Sequence, residues 1–563
     1  MGNIKCVILV IWVISMWFTP VDAWVGESFR RQATAGLLDD DLDLWLNNSP
    51  GLLANPVGLT YIDGMRVYTN LSNLVSGSET QFSDNQSENA YLLGGSGHFI
   101  FGSGGLLYNT SRFEELLENA LGQYGESESI RTIWSDENGD HSTYDMRTDI
   151  EARANARQER STREMFLGYA NAIMYTRFGL LYKYRTQTEE TPRSFSEQQT
   201  LTQLVWNQVT TSERQSQEEL YKTSQDEHLF VASVRQEYSS YMRFGGQIGL
   251  GFQSTEQQDY QWSEEWQNRA PADTLLRDHT HASSATDQQM PLSIMDFYLG
   301  VNAQYHWSAN QTTWVDLLWK HSSGDVDSDA KIYRSHVSEE WYTLGEFDQF
   351  TRTTENDSAS IKGDLSRDEV TFYTRTVYRF IDRAKFAYGF GVTTGKETFE
   401  QTFNRHVYNT TTVNDGDNEP NDGDDSAEEV IAHEIESTKQ TTAETVLKLP
   451  VAMEFALTKK IDLRLGALHT ITTRKETLTR QFELNEPPLQ VITYGDGRVV
   501  SSIQPEAYEV QTGTSEKHNT TMTHTEYTYG AGYHVNTNFQ IDLMGFAKLT
   551  DLSAWQLSAT IKF

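Results

Sequence analysis

Residues 451–468 read VAMEFALTKKIDLRLGAL. Val451, Met453, Phe455 and Leu457 alternate with Ala452, Glu454 and Ala456. After Thr458-Lys459-Lys460, Ile461, Leu463, Leu465 and Ala467 alternate with Asp462, Arg464 and Gly466. Extended chain points successive side chains to opposite faces. The stretch therefore reads as two strands around a tight turn, with one apolar face and one face carrying Glu454, Asp462 and Arg464. A dry interior could hold so many charges only at heavy desolvation cost. The charged face must meet water, and the question is which medium meets the apolar one.

The same alternation recurs along the chain. In MDFYLGVNAQYHW (295–307), Phe297, Leu299, Val301, Ala303, Tyr305 and Trp307 oppose Asp296, Gly300, Asn302, Gln304 and His306. AKFAYGFGV (384–392), GGQIGLGFQ (245–253), NTNFQIDLMGFA (536–547) and the closing SAWQLSATIKF (553–563) repeat it. Strand pairs with short turns fall near 89–109, 164–187, 227–256, 293–322, 368–403, 443–480 and 518–547. A first strand near 65–74 and a last at 553–563 bring the expected count to about 16, within a range of 14–18. Between the pairs lie polar segments at 110–163, 188–226, 257–292, 323–367, 404–442 and 481–517, read as long loops. Tight turns alternating with long loops is the asymmetry of an outer-membrane barrel. The fold class expected is thus all-β, a transmembrane antiparallel barrel. A soluble sandwich would bury these polar inner faces in a dry core.

Composition agrees. The chain has 563 residues and a formal net charge of −34, with 37% apolar residues but 12% aromatics. Few core-formers with many aromatics suit a barrel whose rims carry aromatic girdles. So acidic a surface repels phosphate backbones and argues against nucleic-acid partners. Lys5, an apolar run to Phe18 and the small-residue site at Val21-Asp22-Ala23 read as a signal peptide over 1–23. Cys6, within that run, is the one cysteine, so the exported chain is expected to fold without disulfides. Residues 24–64 then form an N-terminal segment, and 65–563 the barrel.

Two resemblances add to this. The closing strand, with Trp555, Ile561 and terminal Phe563 on its apolar face, resembles the C-terminal signal that hands bacterial outer-membrane proteins to the barrel-assembly machinery. Residues 34–75 carry an acidic stretch, Asp39-Asp40-Asp41, followed by Asn55-Pro56-Val57-Gly58-Leu59. This is similar to the N-terminal region of the long-chain fatty-acid transporter family and its porin-like relatives. The resemblance implies a small plug inside the barrel that gates hydrophobic substrates, with Asp39, Asp40, Asp41, Asn55, Pro56, Gly58 and Leu59 at the matching positions. The chain departs from that family in strand count, acidic segments and charge. An amphipathic turn at the barrel mouth, built on Leu37, Leu38, Leu42, Leu44 and Trp45, is the simpler reading.

No catalytic or metal constellation stands out. The run DGDNEPNDGDDSAEE (415–429) lacks the glycine and bidentate Glu of a calcium loop and reads as solvated. DENGDHSTYD (136–145) offers carboxylates beside His141, which exposed segments commonly carry. His306, His469 and His534 lie on strands without metal-ligand spacing. No cofactor is implied.

The function expected is passive passage of small solutes, hydrophobic ones included, through a lumen partly filled by residues 24–64. Arg375, Arg379, Glu454, Asp462, Arg464 and Asp542 are the expected lumen-lining selectivity groups. The partners expected are outer-membrane lipid and lipopolysaccharide, the barrel-assembly machinery and a small-molecule solute. The alternative is a surface-interaction or envelope protein that uses the barrel to anchor long acidic loops.

Overall fold

The structure, a computed structural model, describes residues 28–46, 53–72, 86–116, 122–135, 141–203, 208–269, 276–342, 348–381, 383–414, 425–503, 513–544 and 556–563. The expected signal peptide and Trp555 lie outside the described residues.

The strands are β1 (Arg66–Ser72), β2 (Gln86–Phe99), β3 (Gly102–Leu116), β4 (Gly122–Ser135), β5 (His141–Ile173) and β6 (Thr176–Gln203). They continue with β7 (Gln208–Ser239), β8 (Met242–Arg269), β9 (Leu276–Ser308), β10 (Gln311–Tyr342), β11 (Asp348–Ile381) and β12 (Ala384–Asn414). The last six are β13 (Ser426–Ala456), β14 (Ile461–Tyr494), β15 (Val499–Ile503), β16 (Thr514–Asn536), β17 (Phe539–Met544) and β18 (Gln556–Lys562). Sixteen of them close into an antiparallel ring, in which β3 pairs with β5, β14 pairs with β16, and β18 returns to β1. The strands β4 and β15 pair with β5 and β14 respectively, beyond the ring. The ring count is the one expected from the alternation. Closure removes every edge from its wall, which is the condition for a sheet to cross a bilayer.

The outer face carries a continuous apolar band next to the tight turns. On β9, Met295, Leu299, Val301, Tyr305 and Trp307 are exposed; on β10, Val315, Leu317 and Trp319; on β11, Val370, Phe372, Tyr378 and Phe380. Neighbours β8 and β12 to β14 continue the band with Ile248, Leu250, Phe386, Phe390, Val451, Met453, Leu463 and Leu465. Each strand contributes about the 9–11 residues that a tilted strand needs to span hydrocarbon. Aromatics mark both borders. Phe99, Phe101, Tyr175, Tyr241, Trp307 and Phe563 stand at the tight-turn end, and Phe252, Trp319, Phe372 and Phe390 at the other. Exposed apolar surface of this extent and shape is a lipid-facing belt, and the chain is a transmembrane barrel of the outer-membrane type.

The wall does not stop where the belt does, and here the loop expectation is corrected. Strands β5 to β14 run for 28 to 34 residues each. At a rise of about 3.4 Å per residue and a tilt of about 40°, the longer ones reach roughly 85 Å along the barrel axis. The hydrocarbon core is only about 30 Å thick. Most of each segment read as a loop is therefore paired strand. Asp325, Asp327 and Asp329 still point outward on β10 while Ser322, Val326 and Ser328 point inward and are buried. The alternation persists there, but with both faces largely polar. Of the acidic run, 415–424 lies outside the described residues, and Ser426 to Glu429 begin β13. Asp136 to Asp140 are likewise outside, and His141 opens β5.

Candidate functional site

The belt level of the barrel is occupied by the chain's own N-terminal segment. Residues 28–46 and 53–62 lie inside the ring, and the wall makes room for them with glycine. A Cβ on Gly105 or Gly168 would meet Leu59 at 2.9 Å, and one on Gly179 would meet the Val57 nitrogen at 2.6 Å. On the far side a Cβ on Gly466 would meet the Ala35 nitrogen at 2.8 Å, and one on Gly530 the Ala33 Cβ at 2.7 Å. These glycines stand on β3, β5, β6, β14 and β16, so the segment is ringed by strands that need its space. Removing side chains there lets one backbone approach another.

The seat has an apolar half and an ionic half. Trp45, Leu46, Leu59 and Ile62 are buried against Tyr68, Leu92, Leu107, Phe166, Leu181 and Val231 of the wall. Full burial of a Leu or Ile contributes about 1.5–3 kcal/mol, so this half alone is a firm attachment. The ionic half begins with two helical turns, Phe29–Gln32 and Asp43–Leu46. Arg30, in the first, donates Nε to Glu454 Oε2 at 2.8 Å and Nη2 to Oε1 at 2.7 Å. Glu454 also accepts from Lys385 Nζ at 2.9 Å and Arg464 Nε at 3.1 Å, and Arg464 Nη1 donates to Asp542 Oδ1 at 2.5 Å. Arg375 Nη1 donates to Asp39 Oδ1 at 2.8 Å and to the Leu37 carbonyl at 3.1 Å, while its Nη2 takes the other Asp39 oxygen. Arg66 donates to Asp41 Oδ2 at 2.7 Å.

Within the segment, the buried Asp43 carboxylate accepts from the backbone nitrogens of Ser28, at 2.9 Å, and Asp40, at 2.8 Å, and from the Ser28 hydroxyl. It ties the two helical turns together. At the tight-turn end, Tyr61 donates to Glu237 at 3.2 Å and lies under the Arg177 guanidinium, 4.0 Å from the ring centroid.

The residues singled out from sequence are thus distributed as follows. Arg375, Glu454, Arg464 and Asp542 face inward and are brought together with Asp39 and Arg30, paired to the segment or to each other. Asp462 faces inward toward the rim and pairs with His534 at 2.8 Å. Arg379 does not join them: it is exposed beside the β11–β12 turn. Asn55 donates its side-chain amide to the Leu44 carbonyl at 3.1 Å, and Pro56 opens the 3-10 turn Pro56–Tyr61 that holds Gly58 and Leu59. Asp40 and Asp41 are partly buried. Sequence reasoning missed Arg30, Lys385, Arg66, Arg177 and Tyr61. An Arg30-Arg31 pair just before an acidic triplet was the available signal.

A second lumenal feature lies immediately beyond the belt. A cavity of about 140 Å³ opens between β8 and β12, lined by Leu292, Val326, Leu365 and Phe399 on one side and by Asp296, Ser322, Lys320, Arg367 and Glu397 on the other.

No protein-family model and no curated protein matches the chain. Among solved structures it is similar to the CymD monoaromatic hydrocarbon channel, at 9% identity over 81% of this chain and 97% of that one, with a TM-score of 0.26. It is also similar to the P. putida toluene transporter TodX (8% identity, 96% and 99% covered, TM-score 0.22). The copper transporter OprC gives 8% identity, 89% and 80% covered, and a TM-score of 0.25. Similarity at this level says nothing of what this chain carries; the barrel is read from its own strand pairing.

Proposed function

We propose that the protein is an outer-membrane channel for passive passage of small solutes, hydrophobic ones included, with residues 28–62 as its plug. The observation that carries this reading is the seat of that segment. Its described residues lie in the lumen at lipid level, yet they are joined to the wall by side-chain bonds and close packing, not by strand pairing. A segment held in that way can shift without breaking the ring, whereas an extra strand could not. The wall charges expected to set selectivity act, in this reading, first as anchors for the plug. The solute path runs over the cavity beyond the belt and then past the plug.

The test is conductance and liposome flux of the full chain beside a variant lacking residues 28–46. The channel reading expects measurable flux of neutral solutes and a conductance several-fold higher without the segment. If neither protein conducts, and neither passes solute, the reading is wrong.

The distal wall supports a second reading, in which the barrel anchors an interaction surface, since it rises far beyond what a crossing requires. Asn404 pairs with Ile435, so removing 405–434 trims the β12–β13 hairpin in register. A channel keeps its flux after this change, while an interaction protein loses its binding.

A further inference from the structure

The cavity beyond the belt is a built site. Its level is set by the outward residues of its strands, which change there from Trp319 to His321 and Ser323 on β10, and from Phe390 to Thr394 and Lys396 on β12. On these two strands the outward face has turned polar at this height, and the inward face need not be apolar to pack against the plug. Inside, Leu292, Val326 and Phe399 nevertheless form a buried apolar cluster with Leu365 against it. Four residues nearer the tight turn on the same two strands lies a pair of polar groups. Asp296 and Ser322 face each other directly across the β9–β10 pairing, 5% and 3% exposed. Asp296 Oδ2 is occupied, accepting from the Tyr298 hydroxyl at 3.0 Å and lying 3.3 Å from Lys320 Nζ. Asp296 Oδ1 and Ser322 Oγ are buried with no hydrogen-bond partner among the described residues.

Two adjacent buried polar atoms left unsatisfied are costly. We propose that they bind the hydroxyl of a small neutral solute whose apolar body rests on Leu292, Val326 and Phe399. This assignment rests on the channel reading and names its solute class. The ligand O–H donates to Asp296 Oδ1, and the ligand oxygen accepts from the Ser322 hydroxyl. The cavity volume matches a single ring, since an apolar cavity of about 150 Å³ takes one benzene. Charge is not called for: Lys320 already faces Asp296, and Arg367 already pairs with Glu369.

Binding is measured by calorimetry on the full-length protein in detergent, with phenol, benzene and 2-naphthol as probes. The site predicts saturable phenol binding at least tenfold tighter than benzene, and tighter than that of the two-ring 2-naphthol. Ser322→Ala should bring phenol to within about threefold of benzene. Val326→Trp, which fills the cavity, should abolish both; Leu365→Phe is a milder filling variant should that one misfold. Equal affinity for phenol and benzene, or phenol binding unchanged by both filling variants, overturns the proposal. Flux without saturable phenol binding sinks the site and leaves the channel. Phenol binding without flux supports the site's chemistry and sinks the channel.

Discussion

Asp39 and Arg375 stand 336 residues apart in the chain and meet inside the barrel in a two-point ion pair, with Arg375 Nη1 2.8 Å from Asp39 Oδ1. The Arg375 side chain is 5% exposed and that of Asp39 16%. Asp39 also pairs with the buried Arg31. Removing Asp39 therefore leaves buried guanidinium charge uncompensated, at about 3–5 kcal/mol, whereas removing Arg375 leaves Asp39 paired with Arg31. Asp39→Ala should loosen the N-terminal segment by that order and Arg375→Ala by less, and the double variant should cost less than the sum. Protease accessibility of residues 28–46, followed through the double-mutant cycle, checks this. Strict additivity would refute the coupling.

Gly58 has a different task. A Cβ placed there would lie 1.7 Å from the Leu44 carbonyl oxygen, which is backbone and cannot turn aside. Gly58→Ala should therefore push the 3-10 turn off the Leu44–Trp45 backbone, at about 3 kcal/mol or more. Gly246→Ala is the matched control, because its nearest neighbour would be 3.7 Å away. Thermal shift of the folded band on gels should separate the two. Equal shifts would mean that the turn does not pack as described.

The lipid belt can be tested by depth. Val301 is 53% exposed in the middle of the β9 band, and Asp327 points outward on the distal wall. Val301→Arg should cost about 2–4 kcal/mol of folding into vesicles, as charges do at the midplane, while Asp327→Arg should cost close to nothing. If the two substitutions cost the same in a folding titration, the outer face does not meet hydrocarbon where assigned.

Glu397 gives the cavity a pH response. Burial pushes its carboxyl from the ordinary 4.5 up to about 7, against the opposing pull of Arg367, Arg474 and Lys320 and with help from Glu444. A folded state that holds a proton the unfolded chain releases is favoured at low pH. That stabilisation is complete below about 4.5 and is lost as pH rises through about 7, by roughly 3 kcal/mol at most. Stability measured across this window should fall for the wild type relative to Glu397→Gln. Parallel curves would remove Glu397 as the cause.

The belt was legible in the sequence because its two faces differ: Leu463 and Leu465 against Asp462 and Arg464 state a period of two outright. The same period continues into 404–414, but Asn and Thr occupy both faces there, so little hydropathy contrast marks the strand. Its β-branched content, as in Thr410-Thr411-Thr412-Val413, was the weaker clue. The N-terminal segment was legible as an occupant of the lumen only through its resemblance. Its anchors were not, because nothing local to Arg375 or Glu454 points to Asp39 or Arg30. Asp296 and Ser322 read as ordinary inward polar residues, and only the register between β9 and β10 sets them side by side.

The ring is shut by β1 against β18, from Arg66 beside Lys562 to Ser72 beside Gln556, with Met65 and Phe563 exchanging backbone hydrogen bonds at 3.3 and 3.0 Å. These partners come from opposite ends of the described chain. Every species that precedes their meeting carries two bare strand edges, each able to pair with another molecule, and such long-range contacts form slowly. Assembly of this protein is therefore a race between zipping its own seam and joining a neighbour's, and shielding those two edges is the service it most needs from any factor that escorts it.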